Sequence, residues 1–564
     1  MDEPHRPSKR AKLSNNTTKH EGPGEQDASS SRDNSADTST KPLASLHRSI
    51  TPPLLSRSAK NISPTKAQPL NPNPQTLRSP IQLTHIRDFS PSSGNNVDAV
   101  RLRDILGDPM IRECWQFNYL HDVDFVMSQF DEDVRSLIQL KVVHGSWKRE
   151  APNRVRIDEA CDRYPNVEAI VAYMPEAFGT HHSKMMILLR HDDCAQVVIH
   201  TANMIPGDWA NMTQAVWRSP LLPLRAGDDT TDQHVPGSGA RFKRDLLAYL
   251  NEYGTKKTGA LVRQLARYDF GAVRAALVAS VPSKQKLGET DSRKTPWGWI
   301  ALRDVLSKVP LSTSSQDSQR NGKAGLKGPQ IVVQISSVAS LGQTDKWLKD
   351  VFFASLAPKV EGPKSQYSII FPTPDEIRRS LNGYGSGGSI HMKLQSAAQQ
   401  KQLQYMRPFL CRWAGDDIET AEPRREAGRR RAAPHIKTYI RFSTEEMNTI
   451  DWAMVTSANL STQAWGTAVN ANGEVRICSW EIGVVVWPEL LAGLAPDTDT
   501  DTAKSVMVPC CRTDTPAANA DAAVTVGFRM PYDLPLTRYS PEDIPWCATA
   551  SYSEPDWLGQ TWDG

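Results

Sequence analysis

Gly179-Thr180-His181-His182-Ser183-Lys184-Met185-Met186 and Pro434-His435-Ile436-Lys437-Thr438-Tyr439 are the two segments that decide how this chain is read. Each carries His-x-Lys, and each is followed by two small residues and an asparagine. Thr201-Ala202-Asn203 ends 21 residues after His182, and Ser457-Ala458-Asn459 ends 24 residues after His435. A tryptophan lies six residues beyond each asparagine, at Trp209 and Trp465. A single His-x-Lys is commonplace; two in the same frame are a duplicated half-site. The duplication extends upstream, where Leu102-Arg103-Asp104-Ile105-Leu106 precedes Gln116-Phe117-Asn118-Tyr119 as Leu302-Arg303-Asp304-Val305-Leu306 precedes Gln334-Ile335-Ser336-Ser337. A repeat this long points to two homologous domains, not a solenoid of short units.

Apolar runs over residues 167–173, 184–189, 196–200, 438–442 and 452–456 predict buried strands, with helices over 241–253 and 298–307. The fold class expected is α/β: two pseudo-symmetric α-β-α sandwich domains over residues 86–283 and 284–564, with the active site at their interface. Residues two apart on a strand share a face, so His182 projects with Lys184 and His435 with Lys437, while His181 turns away. Residues 227–239, 311–328 and 496–504 are expected to be insertions without regular structure.

Residues 1–85 are rich in Ser, Thr, Pro, Asn and Lys and nearly free of aromatics, so a disordered tail is expected. Lys9-Arg10-Ala11-Lys12-Leu13 is a basic cluster of the nuclear-localisation type, and the localisation expected is the nucleus. Thr51-Pro52, Ser63-Pro64 and Ser79-Pro80 fit proline-directed kinases, and the tail is a candidate for binding repair or regulatory proteins. No secretory signal and no membrane span are predicted. The eight cysteines lack zinc spacing and read as reduced thiols. Net charge is only +3, so any affinity for nucleic acid must come from local patches.

A phosphodiester transition state spreads negative charge over its equatorial oxygens. Two ammonium groups and two asparagine amides converging there would supply fixed positive potential. An imidazole is a nucleophile at neutral pH, and a second one opposite can protonate the leaving oxygen. Neither triplet brings a carboxylate at ligand spacing, so no metal and no cofactor are expected.

The paired triplets resemble the phospholipase D superfamily, which carries HxKxxxxD twice. Leu189 and Phe442 stand where that pattern has Asp. This departure, with Gln116-Phe117-Asn118-Tyr119, the two triplet segments, Asp208-Trp209, Ser336-Ser337-Val338-Ala339-Ser340-Leu341-Gly342, Gly387-Gly388-Ser389, Ser457-Ala458-Asn459-Leu460-Ser461, Trp465-Gly466 and Pro531-Tyr532-Asp533-Leu534-Pro535, is similar to the tyrosyl-DNA phosphodiesterase branch. The resemblance runs from about residue 90 to the end.

It implies hydrolysis of the 3′-phosphotyrosyl bond between DNA and a stalled type IB topoisomerase peptide, with DNA 3′ ends as partners, by a monomer that touches no membrane. His182 is then the nucleophile and His435 the general acid and later base. Lys184, Lys437, Asn203 and Asn459 clamp the phosphate, and Gln214 and Glu481 orient the imidazoles. Ser336, Ser337, Ser340, Ser389 and Lys393 would contact the DNA strand, and Tyr119 and Phe178 would form an aromatic wall. Arg424, Arg425, Arg429, Arg430 and Arg431 crowd a loop ahead of His435 and are candidates for steering a polyanion. Two alternatives predict different residues: a phospholipase D or another nuclease of that superfamily would keep the Asp letters, with membrane-binding features for the lipid enzyme, and a catalytically dead DNA-end scaffold would lack one of the four His and Lys.

Overall fold

Met185, Ile187 and Leu189 point to one side of their strand and Met186 and Leu188 to the other, and all five are buried. A strand buried on both faces needs packing partners above and below, which is why its sequence is continuously apolar rather than alternating. The computed structural model describes residues 75–225, 234–287, 294–312, 328–358, 363–415, 424–492, 505–519 and 522–564. Nearly the whole of the expected tail, most of the first two insertions and the third lie outside them.

Two mixed sheets, one of eight strands and one of ten, organise the described chain. The first contains, side by side, Ala215–Arg218, Cys194–His200, Met185–Arg190, Ile111–Phe117, Gln139–His144 and Val167–Val171. The second contains Glu481–Val486, Ile450–Thr456, Thr438–Phe442, Gln330–Gln334, Gln366–Ile370 and Leu410–Cys411 in the same order. Strand directions also agree. The first four strands of each series are antiparallel neighbours, and the last three run parallel. The duplication read from the triplets is therefore a duplication of six strands and their pairing.

Both faces of each sheet are covered. Ile187, Ile199 and Trp217 of the first sheet join Ile440, Val455 and Val484 of the second in one shared core. Met186, Leu188 and Val198 face a separate core under the helix Pro152–Arg163. Tyr439, Met454 and Val485 face a third, under the helix Gly298–Leu306.

The predicted strands and helices all occur, with ends moved by a few residues. The helix expected over 241–253 spans Gly239–Asn251, capped by Ser238, whose hydroxyl accepts from the Arg241 amide at 3.2 Å. Only glycine fits its first residue, because a Cβ at Gly239 would stand 1.8 Å from the Phe270 carbonyl oxygen. The insertion expected over 227–239 is thus partly structured at its end.

Two further expectations change. Gln75–Leu77 and Ile81–Leu83, placed in the tail by composition, are strands. Each is too short and polar to hold itself, but Gln75–Leu77 pairs with Val524–Arg529 and Ile81–Leu83 with Ala215–Arg218, while Ile81 and Leu83 bury their side chains. Ala276–Ser280 precedes the expected boundary at residue 283, yet it pairs antiparallel with Glu481–Val486 in the second sheet. All eight cysteines are free, the adjacent Cys510 and Cys511 included. Among the described residues no helix is long and apolar enough to cross a membrane.

Candidate active site

The two triplets lie immediately ahead of the strands Met185–Arg190 and Thr438–Phe442, not inside them. Their backbones are held by the opposite half of the chain. The His182 amide donates to the Trp480 carbonyl at 3.0 Å, and the Trp480 amide donates to the Thr180 carbonyl at 2.9 Å. The His435 amide donates to the Thr213 carbonyl at 3.2 Å, and the Thr213 amide donates to Ala433 at 2.9 Å. Each half lends the other a short two-way bridge at the same point.

The side chains repeat the exchange. Glu481 opens its strand, and Gln214 stands one residue before Ala215–Arg218, the corresponding strand of the first sheet. His182 Nδ1 is 3.0 Å from Glu481 Oε2, which also accepts from Ser457 Oγ at 2.5 Å. His435 Nδ1 is 3.0 Å from Gln214 Nε2, and Gln214 Oε1 accepts from Thr201 Oγ1 at 2.7 Å. Gln214 presents a donor to this nitrogen, and an acceptor reaches it as well: Asp208 Oδ2 lies 3.2 Å from the same Nδ1.

The tryptophans that follow the asparagines now have a reason. Trp209 Nε1 donates to the Asn203 carbonyl at 3.0 Å and Trp465 Nε1 to the Asn459 carbonyl at 3.1 Å. Each indole fixes the turn that presents its asparagine. Asn459 Oδ1 accepts from the Ser336 and Ser337 amides at 3.1 and 3.0 Å, which leaves its NH₂ to donate.

Lys184 and Lys437 are fully buried. Lys184 Nζ donates to the His182 carbonyl at 3.2 Å, and Lys437 Nζ to the His435 carbonyl at 2.6 Å. Lys437 Nζ also lies 3.3 Å from His435 Nε2. Burial pulls both lysines below the ordinary ammonium range, and Lys184 lowers Lys437 further by charge repulsion. Burial pulls His182 down to about 4, against the opposing charge of Glu481. His435 is lowered well below the usual imidazole value, first by burial and then by Lys437 and Lys184. Both shifts favour the neutral imidazoles in the free site.

The remaining candidates divide. Tyr119 is 43 % exposed with its ring centroid 5.7 Å from that of His182, and Phe178 is 84 % exposed, so both are surface aromatics and not core. Ser336 is buried, and its hydroxyl donates to Asn459 Oδ1 at 3.3 Å. Ser337 is half-buried and begins a two-residue ladder with His391–Met392. Ser389 is half-buried, and Ser340 and Lys393 are exposed. His181 is turned away and buried, its Nδ1 3.0 Å from the Asn118 carbonyl and its Nε2 2.9 Å from Tyr253 Oη.

The arginine loop is largely knitted into the fold. Arg429 is buried and donates to the Thr84 carbonyl at 2.7 Å, Arg430 meets Asp533 at 2.6 Å, and Arg431 lies over Trp557. Arg424 donates to Thr537 Oγ1 at 3.1 Å and Arg425 to the Glu446 and Met447 carbonyls. Its arginines cross-link segments far apart in the chain.

Sequence reading passed over Asp208 as a site residue, and also His391, which lies close enough to His435 and Lys437 for their charges to act on one another. Neither stands in a repeated frame, the signal that exposed the triplets. Among the described residues no cluster of three His, Cys, Asp or Glu side chains forms a metal-binding group.

Two α/β halves that bring paired imidazoles and ammonium groups together define a fold suited to phosphoryl transfer. Residues 80–540 match the model of the tyrosyl-DNA phosphodiesterase family. The chain is 30 % identical to the probable tyrosyl-DNA phosphodiesterase of Schizosaccharomyces pombe, over 86 % of this chain and 96 % of that protein. It is 29 % identical to tyrosyl-DNA phosphodiesterase 1 of Arabidopsis thaliana, over 83 % and 74 %. A crystal structure of the yeast tyrosyl-DNA phosphodiesterase superposes with a TM-score of 0.56 at 21 % identity, covering 83 % of this chain and 98 % of that one, which establishes the shared fold. The chain belongs to the tyrosyl-DNA phosphodiesterase family and is a phosphodiesterase.

Proposed function

We propose that this protein frees DNA 3′ ends from a covalently attached type IB topoisomerase peptide, acting in the nucleus in single-strand break repair. His182 Nε2 attacks phosphorus, an N–P bond forms, and the bond to the tyrosine oxygen breaks with its electron pair leaving on oxygen. His435, protonated on both ring nitrogens once the anionic phosphate is bound, delivers its Nε2 proton to that oxygen. It then takes a proton from water, whose oxygen displaces His182 and leaves a 3′ phosphate. The carrying observation is the reciprocal hold at Nδ1. Glu481 fixes the Nδ1–H tautomer of His182, so the Nε2 lone pair is available for attack. Lys184, Lys437, Asn203 and Asn459 are then the clamp on the equatorial oxygens. Tyr119, beside His182, and exposed Phe178 are placed to meet the substrate, with Ser336, Ser337, Ser340, Ser389 and Lys393 along the DNA strand.

A 3′-phosphotyrosyl oligonucleotide incubated with the protein in excess EDTA is expected to be cleaved at an unchanged rate, leaving a 3′ phosphate. The two buried ammonium groups supply the charge that a metal would otherwise bring. Strict dependence on added Mg²⁺ would overturn this reading.

The basic cluster at Lys9–Lys12 is proposed to direct nuclear import. Deleting residues 1–74, ahead of the strand Gln75–Leu77, is expected to change turnover of a short oligonucleotide by less than about twofold while lowering nuclear accumulation. A large fall in kcat would show that the deleted segment supports the fold.

A further inference from the structure

The two half-sites differ in where each carries its negative charge. Gln214 and Glu481 occupy corresponding positions at the start of corresponding strands, and each reaches the histidine of the opposite half. Only Glu481 carries charge. Just ahead of the tryptophan of each half the situation reverses: Asp208 precedes Trp209, while Ala464 precedes Trp465. The first half therefore pairs an amide with an acid, and the second half pairs an acid with an alanine.

Asp208 is 1 % exposed. Its Oδ2 accepts from the Asn203 amide at 2.7 Å and from Gln214 Nε2 at 3.3 Å, and lies 3.2 Å from His435 Nδ1. The groups facing it are His435 and Lys437 from the second half and Asn203, Gln214 and Lys184 from the first. A carboxylate oxygen and an unprotonated ring nitrogen at 3.2 Å are two acceptors that repel, so a proton belongs on that line. Lys437 Nζ, 3.3 Å from His435 Nε2, is a donor and needs that second nitrogen as its acceptor. Both contacts favour a proton on Nδ1 aimed at Asp208, against the Gln214 Nε2 amide that also stands 3.0 Å from that nitrogen.

We propose that Asp208 is the positioning residue and counter-ion of His435, filling for that imidazole the part Glu481 fills for His182, with Gln214 holding the carboxylate in place. This rests on the proposed general-acid part of His435. Protonating His435 puts a third cation beside Lys184 and Lys437. Asp208 is the carboxylate within reach of Nδ1 that can offset it. Burial raises Asp208 above the usual carboxylate range, against the Asn203 amide and both lysines.

The test compares leaving groups. An unprotonated tyrosine phenolate leaves more slowly than a protonated tyrosine, whereas p-nitrophenol needs no proton. Asp208→Asn is expected to lower kcat for a 3′-phosphotyrosyl oligonucleotide by about 10²-fold, with KM little changed, because part of the general-acid contribution is lost. For a 3′-p-nitrophenyl phosphate oligonucleotide, with adduct formation followed in a single turnover, the loss should be at least about tenfold smaller. Asp208→Glu should recover much of the phosphotyrosyl activity. Equal losses on both substrates, or no recovery with Glu, would overturn the proposal and make Asp208 a support of the Asn203 turn only. Failure of the unsubstituted protein to cleave the phosphotyrosyl substrate would instead refute the function proposed above.

Discussion

His182→Ala is expected to form no covalent protein–DNA adduct and to lose activity by about 10⁴-fold or more, whereas His435→Arg is expected to accumulate that adduct. The difference follows from what each ring does in the proposed sequence. Without His182 no nitrogen stands where the in-line attack begins. With arginine at 435 the attack by His182 persists, since a phenolate leaves far more readily than an alkoxide and Glu481 still fixes the nucleophile at 3.0 Å. The second step fails, because guanidinium stays protonated and cannot take a proton from water. A denaturing gel of enzyme with labelled 3′-phosphotyrosyl oligonucleotide should show a slowly migrating band for His435→Arg and none for His182→Ala. A band in the alanine variant would reverse the two assignments, and full turnover in both would refute a two-histidine mechanism.

Lys184→Met is expected to act in opposite directions on activity and stability. An ammonium group removed from the proposed phosphate clamp should lower kcat/KM by about 10³-fold, the scale of losing one preorganised donor. The same change should stabilise the folded protein by about 1–3 kcal/mol, since a fully buried cation is replaced by an apolar chain of similar volume. Lys437 adds to the gain, because the two ammonium groups repel. The pH dependence gives an independent check. Both lysines hold their protons less tightly in the folded state than in the unfolded chain, where the value is about 10.4. The unfolded chain therefore binds more protons as the pH rises toward that value, and stability should climb with pH in that window. Thermal unfolding at pH 8 and pH 10 should show a rise in the unsubstituted protein that is smaller in Lys184→Met. An unchanged or lower Tm for the methionine variant at pH 8 would contradict this account.

The sheets were readable because strands such as Met185–Arg190 and Ile450–Thr456 are buried on both faces and so are apolar throughout. Gln75–Leu77 and Ile81–Leu83 were not, since a three-residue edge strand takes its order from the sheet it joins rather than from its own composition. The triplets and asparagines were legible through repetition. The orienting contacts carry no local signal: His182 and Glu481 are separated by 299 residues and His435 and Gln214 by 221. Gln214 and Glu481 were reached only through family resemblance, and Asp208 was hidden because the repeat has alanine at its counterpart. Tyr119 and Phe178 could not be assigned to core or surface from residue type alone, and the fold places both at the surface.

The crossed bridges, His182 to Trp480 and His435 to Thr213, make the site a logical AND. A slight parting of the halves would release Glu481 from one imidazole and Gln214 from the other together, so the proposed nucleophile and the proposed proton donor would fail as one. Neither half can drift in sequence at this seam without the other, and a chain cut between them could regain activity only by re-docking, never by repairing a single side.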